Sequence, residues 1–203
     1  KDAVALEAGI EITPATVGFL ATVGLSEVSV YPRPKVAILT TGNELVQPGT
    51  ELRFGQIYES NSLMLEAAFY QYGFRDVQHV SVPDDYEQTV AALRRTMEES
   101  DLIILSGGIS VGDYDFVNRA LTELNVNQVF YKVNQKPGKP LYFGTKDEQP
   151  IFALPGNPAA ALTSFYLYIL PTLNQMTGGS FEGCQQTELP IAQDYIKKGS
   201  RTV

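Results

Sequence analysis

Leu102-Ile103-Ile104-Leu105-Ser106-Gly107-Gly108-Ile109-Ser110-Val111-Gly112-Asp113-Tyr114-Asp115 decides the fold. The aliphatic run at its start leaves no face for water, so it reads as a strand buried on both faces, as in a parallel sheet. Small residues follow it, and then a helical pattern over 114–124. Strand, glycine loop and helix in that order make half of a βαβ unit.

The same pattern extends on both sides. Val36-Ala37-Ile38-Leu39-Thr40 is a second buried strand. It follows Tyr31-Pro32-Arg33-Pro34, whose prolines favour an extended linker. Ser60 or Asn61 can cap a helix that runs to Tyr72 and ends at Gly73. A strand is expected over 77–82. Pro83-Asp84-Asp85 then opens a helix, with Asp84 and Glu87 at capping-box spacing. On that helix Tyr86, Val90, Leu93 and Met97 recur so as to face the sheet. Strands are expected over 129–133, 141–144 and 151–154, and one long apolar helix over 158–176. The order predicts a three-layer α/β/α domain with a mostly parallel sheet over 31–178. Residues 1–30 read as a helix and strand ending a preceding domain, with Thr13 as N-cap and Pro14 in the first helical position. Residues 179–203 read as the truncated start of a C-terminal β domain, with Leu189-Pro190-Ile191 as one strand.

Composition narrows the function. The 203 residues hold 15 Lys plus Arg against 23 Asp plus Glu, a net charge of −8. An acidic chain is a poor general nucleic-acid binder, because phosphate contacts need clustered Lys and Arg. No stretch approaches the ~20 apolar residues of a membrane helix, and the acids near the first residues do not suit a signal peptide. The single Cys184 forms no internal disulfide and no multi-cysteine metal site. One region departs from the average. Between Tyr131 and Lys146 stand Lys132, Lys136, Lys139 and Lys146 and no acid. A small basic patch in an acidic protein suits a small anionic ligand.

In an open parallel sheet, ligands sit at the carboxyl ends of the strands. The loops there hold the candidate site. Thr41, Gly42 and Glu44 follow the first buried strand, Glu44 bringing a carboxylate. Asp84 follows the next strand, where helix capping is the plainer role for a single Asp. After Leu105, the residues Ser106, Gly107, Gly108, Ser110 and Gly112 let backbone N–H groups approach an anion. Neither a Walker A loop nor G-x-G-x-x-G is present there. Asp115 suits an N-cap, and equally a Mg²⁺ ligand. Lys136-Pro137-Gly138-Lys139-Pro140 is stiffened by its prolines and holds two lysines as point charges. Lys132, on the preceding strand, is within reach of them. Pro155, Gly156, Asn157 and Pro158 join a strand to a helix, with Asn157 as cap. The lone His79 reads as structural or surface, Cys184 has no evident base, and Phe165, Tyr166 and Tyr168 read as core or interface.

Taken together, Thr41-Gly42-Asn43-Glu44-Leu45, Pro83-Asp84-Asp85, Ser106-Gly107-Gly108-Ile109-Ser110-Val111-Gly112, Asp115, Lys136-Pro137-Gly138-Lys139-Pro140 and Leu154-Pro155-Gly156-Asn157-Pro158 resemble the molybdopterin molybdotransferases, the MoeA family, and the related E domain of gephyrin. Asn43 stands where the family commonly has Asp. The resemblance implies a MogA-like molybdopterin-binding fold. It implies insertion of molybdate into adenylated molybdopterin with loss of AMP and help from Mg²⁺. On that reading Glu44, Asp84, Asp115 and Lys136 are the catalytic set, and the three carboxylates hold the metal. The other loop residues, from Thr41 to Asn157, hold the pterin nucleotide. The resemblance further implies a cytoplasmic homodimer, the molybdopterin adenylyltransferase as partner, and a cleft completed by neighbouring domains. Three other functions remain open from the residues: adenylyl transfer onto molybdopterin, a gephyrin-like scaffold, and a flavodoxin-like nucleotide binder.

Overall fold

The computed structural model describes residues 4–107, 114–179, 187–194 and 196, with only the backbone of 114 and 115. Helix α1 is Pro14–Thr22, α2 Asn61–Gln71, α3 Tyr86–Glu99, α4 Tyr114–Glu123, α5 Pro158–Ser164 and α6 Leu170–Met176. The strands are β1 Val36–Thr41, β2 Leu45–Val46, β3 Ile57–Tyr58, β4 Val77–Val82, β5 Leu102–Ser106, β6 Asn127–Tyr131, β7 Tyr142–Lys146 and β8 Gln149–Leu154.

A six-stranded sheet runs in the order β4-β1-β5-β8-β7-β6. β4, β1, β5 and β8 are parallel, while β7 and β6 form an antiparallel hairpin on the edge beside β8. The apolar runs do what their lack of alternation implies. Ala37, Leu39, Ile103, Leu105, Ile151 and Ala153 pack under α3 and α4. Val36, Ile38, Leu102, Ile104, Phe152 and Leu154 pack on the other face, under α2, α5 and α6. Each Val, Leu, Ile or Phe side chain among them that is removed from water contributes about 1.5–3 kcal/mol, so the strands with two covered faces anchor the domain. The three layers and the mostly parallel sheet are as expected.

Local departures have local causes. The expected 158–176 helix is continuous in course but carries a π-helical turn at Phe165–Ile169, where the Leu170 N–H reaches the Phe165 carbonyl. Pro171 has no N–H to give and its ring crowds the preceding turn, which favours such a widening. The strand expected at 129–133 begins at Asn127 and ends at Tyr131, because Lys132 adopts φ 70° and leaves the strand. A bulge between Gln128 and Phe130 accompanies the shift. Helix α2 is not capped by the Ser60 side chain. The buried Glu59 carboxylate instead accepts from the Ser62 N–H at 2.9 Å and from the Ser62 hydroxyl.

The flanks are sparser than expected. Thr13 caps α1 and Pro14 opens it, as predicted. No strand forms among the described residues before Val36, where the β-formers Val28, Val30 and Tyr31 stay exposed. Leu189 and Ile191 are also exposed, and the expected strand there is irregular chain. A residue pair that no neighbouring strand receives gains nothing from extension. Among the described residues no helix is long and apolar enough to cross a membrane. Cys184 lies outside the described residues.

Candidate functional site

Register brings the loops to one edge. Thr41 pairs with Val82, Thr40 with Ser106, and Ser106 with Leu154, so the parallel strands end level with one another. On the antiparallel side Tyr131 pairs with Tyr142, and Tyr142 with Ala153. The hairpin loop 132–141 therefore leaves the sheet beside the carboxyl end of β8. The 41–45, 83–85, 106–107, 132–141 and 155–157 segments share that edge.

Backbone geometry at this edge requires glycine. Gly107 turns the chain with φ 93°, and a Cβ there would stand 2.8 Å from the Thr41 carbonyl oxygen. Gly42 has φ 143°, and a Cβ there would meet the Glu44 carboxylate at 2.8 Å. A side chain at Gly107 would push apart the ends of β1 and β5. Glu44 folds back over Gly42, exposed, with its carboxylate at the mouth of the edge.

Asp84 does not cap α3. Asp85 does, accepting from the Gln88 N–H at 2.8 Å. Asp84 instead turns toward the first loop. Its Oδ2 accepts from the Asn43 N–H at 3.0 Å, and its own N–H donates to Asn43 Oδ1 at 3.3 Å. The reciprocal pair ties the β1 and β4 loops together and brings two exposed carboxylates, Glu44 and Asp84, to the same loop cluster. The side chain of Asp115 and all of Gly108, Ser110 and Gly112 lie outside the described residues. Among the described residues no group of three or more His, Cys, Asp or Glu stands at metal-binding spacing.

Asn61, read in the sequence only as a helix cap, links the central loops. Its Nδ2 donates to Ser106 Oγ at 2.9 Å and to the Gly156 carbonyl at 3.0 Å. That one amide joins the end of β5 to the loop after β8. Among the described residues its Oδ1 is buried with no hydrogen-bond partner, and an unmade bond of that kind costs about 1–3 kcal/mol. Asn157 caps α5 as predicted, accepting from the Ala160 N–H at 3.1 Å.

The lysine loop has its own supports. Lys132 N–H donates to the Leu141 carbonyl and Val133 N–H to the Lys139 carbonyl, closing the base of the loop. Lys136-Pro137 is a cis peptide. Lys136 and Lys139 are exposed and make no ion pair among the described residues. Lys132 does not continue along a strand toward them; its Nζ lies over the Tyr131 ring, 4.6 Å from the centroid. Gly138 has φ 96°, and the buried Gln135 amide occupies the space a Cβ would need, 2.9 Å away. Gln135 Nε2 donates to the Pro137 carbonyl at 2.8 Å, and its Oε1 accepts from the Tyr168 hydroxyl at 2.8 Å. Burial pushes the Tyr168 hydroxyl above the usual tyrosine range, so it stays a donor. His79, exposed on the edge strand, shares a 3.0 Å hydrogen bond with Thr40 and stands apart from these loops.

Residues 37–175 match the family model described as "Probable molybdopterin binding domain". Over 178 residues the chain is 43% identical to molybdopterin molybdenumtransferase 2 of Mycobacterium tuberculosis, covering 85% of this chain and 44% of that protein. It is 37% identical to molybdopterin molybdenumtransferase of Haemophilus influenzae, covering 88% of this chain and 44% of that protein. The chain thus spans somewhat under half the length of these relatives. A molybdopterin biosynthesis MoeA protein structure from Pyrococcus horikoshii superimposes with a TM-score of 0.71 at 33% identity, over 84% of this chain and 42% of that one. The molybdopterin biosynthesis Mog protein of Mycobacterium ulcerans shares the fold, with a TM-score of 0.52 at 18% identity, over 72% of this chain and 99% of that one.

Proposed function

The chain belongs to the molybdopterin-binding domain family, and from that premise we propose that it inserts molybdate into adenylated molybdopterin, with release of AMP, in molybdenum cofactor biosynthesis. The observation that carries this reading is the convergence of the 41–45, 83–85, 106–107, 132–141 and 155–157 segments at one sheet edge. Molybdate and a phosphorylated pterin nucleotide are both anions. Lys136 and Lys139 sit on a stiff loop as exposed charges that an oxyanion can neutralise. Thr41, Gly42, Ser106, Gly107, Pro155, Gly156 and Asn157 form the adjoining wall, and Gly108, Ser110 and Gly112 continue it in sequence. Lys132, folded over Tyr131, contributes charge from the side.

Magnesium suits the donor chemistry here. Mg²⁺ is usually held by one or two carboxylates together with waters and substrate phosphates, and Glu44 and Asp84 are two exposed carboxylates on linked loops. Glu44, Asp84 and Asp115 would hold it, and it would neutralise charge on the departing phosphate. The work of the chain itself is positioning and charge neutralisation at pre-set loops. The same reading carries a cytoplasmic homodimer, supplied with substrate by the molybdopterin adenylyltransferase. The apolar side chains left exposed on α1, such as Val17 and Phe19, favour a further protein contact on that helix.

The test is a titration with tungstate or molybdate, AMP and Mg²⁺. One saturable oxyanion site, strengthened by AMP, is expected. Absence of binding by both oxyanion and nucleotide would contradict the reading. Transfer of AMP from ATP onto molybdopterin would replace it with the adenylyltransferase.

A further inference from the structure

The lysine loop is fixed at its base by the sheet, but at its tip by side chains. Lys132 and Val133 donate to Leu141 and Lys139 carbonyls, which closes the neck. Beyond the neck, Gln135 is the buried side chain that reaches the Pro137 carbonyl. Its other end is held from outside the loop, by the Tyr168 hydroxyl. Tyr168 belongs to the π-helical turn Phe165–Ile169, in which Phe165 and Ile169 are fully buried in the sheet-facing core. Those flanking residues hold the turn in place, while Tyr168 stays half-buried beside the hairpin. A planar amide with one acceptor and one donor end transmits the position of its anchor to the group it grips. Gly138 completes the fit, since only a residue without Cβ leaves room for the amide.

We propose that Tyr168 is a positioning residue for the oxyanion site, acting through Gln135 on the Pro137 carbonyl to hold Lys136 and Lys139 at their binding geometry. The inference rests on the oxyanion reading of the lysine loop and deepens it. In this role Tyr168 acts through Gln135 and not on the oxyanion itself. Its ring also lines an apolar cavity of about 430 Å³ with Phe130, Phe143, Phe152 and Met176, and a phenylalanine would keep that packing. Removing the hydroxyl alone leaves Gln135 free to turn, and the loop tip loses this support from outside the loop.

The experiment compares the full chain with Tyr168→Phe and Gln135→Glu. Tungstate affinity is measured by equilibrium titration, and hydrogen exchange is followed over 132–141 and over 158–176. In Tyr168→Phe, tungstate binding should weaken about three- to tenfold, the factor that one net hydrogen bond supplies. Amides in 132–141 should exchange faster while those in 158–176 are unchanged. Gln135→Glu retains an acceptor for Tyr168 but no donor for Pro137, so it should weaken binding as well. Tungstate affinity and loop exchange both equal to the wild type in Tyr168→Phe would overturn the proposal. So would acceleration spread evenly over 158–176, which marks a merely structural role. If the wild type binds no tungstate, the oxyanion reading fails, and the exchange in 132–141 still decides whether the brace exists.

Discussion

The parallel and antiparallel halves of the sheet build their loops by different means. On the parallel side, β1, β4, β5 and β8 end level, and their loops are set by the strands. Backbone close approach, as between Gly107 and Thr41, sets the strand ends, and the Asp84–Asn43 and Asn61 side-chain bonds link the loops beyond them. On the antiparallel side, the β6–β7 loop reaches beyond its last strand pair and depends on Gln135 and Tyr168 for its shape. A loop held by backbone tolerates little change in residue size. One held by side chains tolerates changes in size but not in hydrogen-bonding groups. The difference can be probed by mutation on each side.

The largest effect on binding is expected from Lys136→Ala. Loss of one charge-assisted contact should weaken oxyanion binding about ten- to a hundredfold, with the unfolding midpoint nearly unchanged. Isothermal titration and a thermal melt check it together. Gly107→Ala should act through the fold instead. Its φ of 93° and the Thr41 carbonyl 2.8 Å from the new Cβ should cost about 1–3 kcal/mol of stability. A denaturant titration reads that loss. If Gly107→Ala were as stable as the wild type, the claim that backbone close approach sets the ends of β1 and β5 would break.

Asn61→Ala should fall between these. It removes two donated bonds and one unsatisfied acceptor, so the net loss of stability is about 1 kcal/mol. Nucleotide affinity should drop more noticeably, because the β5 and β8 loops are no longer joined. The smallest effect concerns pH. Below the ordinary tyrosine value of 10.0, Tyr168 is protonated in both folded and unfolded chains, and its bond to Gln135 is fully present. Its folded value is raised, so the advantage of the wild type over Tyr168→Phe should be constant below pH 10 and shrink above it. Paired melts between pH 7 and 11 measure the difference.

The same division explains what the sequence disclosed. β1, β5 and β8 were legible because burial on both faces leaves aliphatic runs that few other structures use. The glycine and lysine loops were legible as small residues after strands and as charges between prolines. The linking side chains were not. Asn61 meets Ser106 across 45 positions and Gly156 across 95, and Tyr168 meets Gln135 across 33. No local pattern marks an Asn that also fits a helix cap, or a Tyr inside an apolar run. Asp84 fits a cap by local rules, but Asp85 satisfies the same rule one residue later and takes the role. The π turn was hidden for a similar reason: Pro171 signals a disturbance in a helix without saying whether it breaks, kinks or widens.

The central claim is that loops from both halves of the sheet form one anion site. Amide chemical shifts of the chain, followed during titration with tungstate and AMP, test it directly. The account predicts that the amides of 41–44, 106–107 and Lys136, Gly138 and Lys139 shift together along one saturation curve, and that Lys136→Ala weakens the response at all three segments. Shifts confined to one of these segments, or separate curves for the two halves, would contradict it.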